Sequence, residues 1–308
     1  GTTGTTAAIT GAPLLGVPTG LHLVVDPSVP ASGFDIDLDT GGLSEVMFGA
    51  PVASTPEGLF TLGRSAVWRP FPLDEATAVD LGPAVSVWPI AGGVEAWTAG
   101  PRVIGSGQRS MRLLRLDDGS EVVRIDLEPL VNPVGASTVG VVVSDGTTAA
   151  ILRRSGRPEP LAPGAVVAVG PDSLLQERCE ASGPPCALVL VDLATGDEVT
   201  LHRSAWRDGP SEAAIGASGG VALVRPAADG TVELVIAAPS GAALVTVPTG
   251  LATRAEPVWS GDGRFVVVGA GVDVVAVDLG QQSGPAVHRF QVPRGLDGGY
   301  ALIGPPIP

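Results

Sequence analysis

Cys179 and Cys186 are the only thiols of this 308-residue chain, and six residues, including Gly183-Pro184-Pro185, separate them. The apolar runs on either side predict a hairpin with one cysteine on each leg, and paired strand positions have the spacing that a disulfide needs. The alternatives are a pair of buried free thiols or a two-thiolate metal site, and the latter is poor because no histidine lies nearby in sequence. A disulfide implies an oxidising, extracytoplasmic compartment. Gly216-Ala217-Ser218-Gly219-Gly220 satisfies the Gly-x-Ser-x-Gly pattern of serine hydrolases. That chemistry requires a strand, a sharp turn and a helix, yet Val221-Ala222-Leu223-Val224 reads as a strand, so Ser218 is expected to be a turn residue. Asp35, Asp37 and Asp39 alternate as in a calcium loop, but Thr40 and Val46 stand where that loop needs glycine and a bidentate glutamate. Gly269 and Gly271 lack the third glycine and the helix of a dinucleotide site. His22, His202 and His288 are far apart and read as strand residues rather than as ligands or bases. No catalytic residue, metal or cofactor is expected.

The elements that would hold these residues follow from a turn signature. Thr40-Gly41, Asp118-Gly119, Ser155-Gly156, Thr195-Gly196, Ser240-Gly241 and Leu279-Gly280 recur at gaps of 78, 37, 40, 45 and 39 residues. The first gap is two periods, with a degenerate copy near Leu73-Asp74-Glu75, so seven units are expected. A unit of this length cannot bury its own apolar face and must stack on its neighbours. Val-, Leu- and Ala-rich runs lie between glycine- and proline-rich turns, and no stretch holds a helical period. These features predict an all-β, seven-bladed β-propeller of four-stranded antiparallel blades, spanning residues 13–308. Residues 1–12 read as a linker, as the stub of a removed export signal or membrane anchor, or as an arbitrary boundary.

The last unit is the clearest: Glu256-Pro257-Val258-Trp259-Ser260, a Gly261-Asp262-Gly263 turn, then strands from Arg264, Asp273 and Ala286. It resembles the TolB-type, WD40-like propeller repeat, departing from its pattern at Gly261, where the family has proline. Thr55-Pro56-Glu57-Gly58, Gly170-Pro171-Asp172-Ser173 and Val191-Asp192-Leu193-Ala194-Thr195-Gly196 keep fragments of the same pattern. The resemblance implies a propeller of an exported, actinobacterial-like kind; it implies a fold and no particular activity. With strands lettered A to D from ring centre to rim, Tyr300 to Ile303 reads as a last strand A that completes the first blade. Pro13 to Gly16 is the competing candidate for that place.

The net charge of −14 argues against nucleic acid and against an anionic membrane surface. All 18 basic residues are arginine, which fits a GC-rich genome and excludes lysine chemistry. No apolar run is long enough to span a bilayer, although a tether upstream of residue 1 remains open. The reading is a non-catalytic, extracytoplasmic binding or scaffold module that engages a protein or an acidic ligand. Recognition is expected on the face of the longer B–C and D–A loops, which include Gly100 to Gln108, through Trp206, Arg207, Asp208, Arg254 and Arg294. Trp206 could instead tuck between blades. The alternatives are a lyase or glycoside hydrolase acting at the ring centre, and a structural spacer or assembly subunit.

Overall fold

The computed structural model describes residues 13–25, 33–46, 50–55, 57–71, 73, 75–90, 93–145, 148–180, 183–204, 212–252, 256–281, 284–292 and 300–304. They form seven four-stranded antiparallel sheets. Blade 1 takes Tyr300–Ile303 as strand A and His22–Val25, Gly33–Asp37 and Leu43–Val46 as strands B, C and D. Blade 2 comprises Ala50–Thr55, Gly58–Leu62, Ala66–Pro70 and Val79–Gly82, and blade 3 Ser86–Pro89, Glu95–Ala99, Arg109–Arg115 and Glu121–Leu127. Blade 4 comprises Asn132–Ser137, Gly140–Ser144, Ala149–Arg153 and Pro158–Pro160, and blade 5 Ala165–Val169, Ser173–Glu180, Gly183–Asp192 and Glu198–Ser204. Blade 6 comprises Glu212–Ile215, Val221–Pro226, Val232–Ala237 and Ala243–Pro248, and blade 7 Val258–Trp259, Phe265–Ala270, Asp273–Asp278 and Ala286–Gln291. The A strands of successive blades lie side by side around the ring axis. Helix among the described residues is limited to a 3-10 turn, Glu75–Thr77, in the degenerate C–D connection of blade 2.

Strands B and C are apolar on both sides because each blade is sandwiched between two others. Leu23 and Val25 face Phe265 and Val267 of blade 7, whereas Val24 between them faces Leu59 of blade 2. Val266 and Val268 turn the other way, onto Leu234 and Ile236 of blade 6. Each of the remaining blade interfaces has its own buried cluster. Burying one such side chain stabilises by about 1.5–3 kcal/mol, so stability is distributed around the ring rather than held in one central core.

Closure occurs through the C-terminal strand. Tyr300, Ala301, Leu302 and Ile303 pair with Val25, Val24, Leu23 and His22. The Tyr300 hydroxyl ties this strand to blade 7: it accepts the Gly269 N–H at 2.9 Å and donates to the Glu256 carbonyl at 2.8 Å. On the other side the Ser54 hydroxyl of blade 2 donates to the Leu302 carbonyl at 2.6 Å. The alternative segment, Pro13 to Gly16, packs elsewhere, with the Leu14 N–H donating to the Leu38 carbonyl.

Candidate functional site

The six recurring turn dipeptides all fall in C–D connections, and most of these are closed by a local carboxylate. Asp37 accepts the Asp39 N–H and the Thr40 hydroxyl, and Asp192 accepts the N–H groups of Ala194 and Thr195. Asp278 accepts the Gly280 N–H and a two-pronged contact from Arg264, both prongs 2.8 Å long. Burial alone would raise the Asp278 pKa; the Arg264 guanidinium, Gln281 and the Gly280 N–H outweigh it and hold the carboxyl at about 2. The glycine of the turn takes positive φ at Gly41, Gly119, Gly156, Gly196 and Gly241, which explains why glycine recurs there.

The motifs that could have carried chemistry are absorbed by this framework. Asp35 pairs with His22 Nδ1 at 2.9 Å, Asp37 caps its own turn, and Asp39 accepts the N–H groups of Thr19 and Gly20. The three acids therefore serve three different partners. His22 is a strand residue, as expected, but it does have a partner, and the hydrogen bond to Asp35 raises its pKa. Ser218 lies exposed in the A–B turn of blade 6, at the position Asp262 holds in blade 7. The flanking glycines serve Trp259: a Cβ would stand 2.7 Å from its indole at Gly216 and 3.0 Å at Gly220. The Trp259 Nε1–H donates to the Ala214 carbonyl at 3.2 Å, which fixes the ring. The Gly-x-Ser-x-Gly pattern is thus a seat for the indole of the next blade.

Cys179 and Cys186 occupy directly paired positions of strands B and C in blade 5 and are disulfide-bonded, with their Cα atoms 4.0 Å apart. Glu177 lies beside them, within 4.8 Å, but the sulfurs are bonded to each other and offer no thiolate.

On the face of the B–C and D–A connections, the B–C loop of blade 3 and the D–A connection of blades 3 and 4 are stapled by one side chain. The Arg102 guanidinium donates to the Gly107 carbonyl at 2.8 Å, to the Pro129 carbonyl, and to Asn132 Oδ1 at 2.6 Å. Val103 and Gln108 close the loop backbone. The resulting tip presents Ile104, fully exposed, with Leu130 at 80% and Val103 at 58%. Arg109 stands at its base, where its Nε is buried without a hydrogen-bond partner among the described residues. Sequence reasoning selected this loop but passed over Arg102, Ile104 and Leu130. The readable signal was an apolar Val103-Ile104 pair inside a polar, glycine-rich loop. Trp206, Arg207, Asp208, Arg254 and Arg294 lie outside the described residues.

Through the ring centre runs a channel of about 400 Å³. Glu256 and Tyr300 line it where strands A begin, and A–B turn residues such as Ile90, Pro171 and Ala217 line it where they end. Trp88 and Trp259 contribute aromatic wall, and Glu57 and Glu256 are the charged residues among the described lining. Burial first, and then the Glu212 carboxylate, push the Glu256 pKa upward.

No protein-family model matches this chain, and neither does any curated protein. Among solved structures it is similar to TolB from Acinetobacter baumannii, at 12% identity and a TM-score of 0.51, over 95% of this chain and 69% of that one. It is also similar to the β-propeller domain of the Trilobed protease from Pyrococcus furiosus, described as having an open velcro topology. There the identity is 10% and the TM-score 0.57, over 92% and 95% of the two chains. A third similar structure is an oligogalacturonate lyase in complex with manganese, at 11% identity and a TM-score of 0.54, over 85% and 83%. At these identities the likeness concerns architecture alone, and it agrees with the β-propeller fold of this chain.

Proposed function

We propose that this protein is a non-catalytic, extracytoplasmic binding or scaffold module that takes hold of a partner through its long-loop face. The observation that carries this reading is the Arg102-stapled tip: three aliphatic side chains held in solvent by a guanidinium tied to two backbone carbonyls and to Asn132. Exposing Ile104 and Leu130 has no benefit for the isolated fold, and such anchors on a rigid support are what binding surfaces use. Arg102 and Arg109 beside the tip, on a chain of net charge −14, favour a partner that brings a carboxylate or another acidic group. The disulfide in the B–C hairpin of blade 5 supports export to an oxidising compartment. Among the similar structures are both TolB and a lyase, so the architecture is compatible with binding as well as with catalysis.

The test is site-specific photo-crosslinking in the envelope and secreted fractions of the source cells, with the photoreactive residue at position 104 or at position 218. A discrete adduct from position 104 and none from position 218 is expected. An adduct from position 218 alone would move recognition to the short-turn face and end this proposal.

A further inference from the structure

We propose that the central channel is a binding site for a small organic cation carrying an apolar body. The inference stands apart from the long-loop reading, since neither the tip nor its partner takes part in it. The channel volume, about 400 Å³, lies in the range of small-ligand sites. Its wall is largely apolar and aromatic, with Trp88, Trp259, Tyr300, Ile90, Ile215 and Val258. Among the described lining residues its charge has one sign. Glu57 and Glu256 line it, no arginine or histidine does so among the described residues, and neither carboxylate forms an ion pair with a described residue.

The two acids come from different blades and opposite ends of the channel. Glu57 sits in the A–B turn of blade 2 and reaches across to blade 3, where a Cβ on Gly93 would come within 2.5 Å of its carboxylate. Glu256 precedes strand A of blade 7, beside the Tyr300 hydroxyl that its carbonyl accepts. Glu256 is exposed to the channel, and burial first and then the nearby Glu212 carboxylate push its pKa upward. An anion entering this space would meet two carboxylates in a protein of net charge −14, whose field is focused by the low-dielectric walls. A neutral apolar guest would strip water from the acids and return nothing. A cation is drawn toward either carboxylate and is attracted by the indole faces. Trp259 is already fixed by Ala214 and its two glycines, so binding does not have to order it.

The experiment is a calorimetric titration of the protein with benzyltrimethylammonium, with phenylacetate as an anion of similar body, followed in parallel by tryptophan fluorescence. Saturable binding of the cation is expected, with no binding of phenylacetate at the same concentrations. The isosteric double variant Glu57→Gln/Glu256→Gln should weaken the cation by about tenfold or more, and Trp88→Leu by about fivefold. Unchanged circular dichroism of the variants separates lost binding from lost fold. Equal binding of phenylacetate, no binding of the cation, or unaltered affinity in the double variant would each overturn the proposal.

Discussion

On the face of the A–B and C–D turns, connections are closed by side chains that bond backbone only two or three residues away, as Asp37, Asp192, Asp262 and Asp278 do. On the opposite face, the Gly100 to Gln108 loop is held by a single guanidinium that reaches 27 residues along the chain to Pro129. The first face repeats because its chemistry is local and each copy stabilises its own turn. The second differs from blade to blade because its contacts reach beyond the turn to other connections, as Arg102 does to Pro129 and Asn132. A ring of similarly built blades thus separates into a face held by local turns and a face whose loops are freer to vary.

The largest effect should come from the short-turn face. Asp278→Ala removes a fully buried carboxylate that serves Arg264, Gln281 and Gly280, and should cost about 3 kcal/mol or more in chemical denaturation. The same group sets an acid limit. Its folded pKa lies below the ordinary value of 3.8, so its stabilisation is complete above that pH and is lost as pH falls toward about 2. Stability followed from pH 5 to pH 2 should therefore fall less steeply in the variant.

Next comes the disulfide on the long-loop face. Replacing Cys179 and Cys186 by serine should cost roughly 2.5 kcal/mol in the chain-entropy model, without loss of secondary structure. A cost above that of Asp278→Ala would break the comparison, because the long-loop face would then be the structural one. A smaller cost is expected for Gly216→Ala, whose methyl group must displace the Trp259 ring: about 1 kcal/mol or more, with altered tryptophan fluorescence. The smallest effects sharpen the contrast. Ser218→Ala and Ile104→Ser should each change stability by less than about 0.5 kcal/mol, measured by thermal unfolding. Only Ile104→Ser should lower partner capture.

Much of the architecture was legible because propeller blades are defined by short-range rules. Thr195-Gly196 and Ser240-Gly241 mark the C–D turns through the positive φ that glycine accepts, and Tyr300 to Ile303 was readable as a strand lacking a blade of its own. The hydrolase-like glycines were correctly assigned to a turn, but their role as the seat of Trp259 was hidden, since the ring arrives from 43 residues downstream of Gly216. His22 seemed solitary because Asp35 meets it only across the paired B and C strands.

The order of strands and the number of blades are therefore properties of the sequence itself, written in short apolar runs and a recurring turn, whereas the structure decided the cysteine pairing and the point of closure between the alternatives that the sequence offered. The central channel and the stapled tip are decided by tertiary structure. Glu57 and Glu256 share one cavity only because the C-terminal strand closes the ring between blades 7 and 2, and Ile104 stands in solvent only because Arg102 finds Pro129. Local periodicity determines how each blade folds, whereas the approach of distant side chains depends on how all seven blades pack.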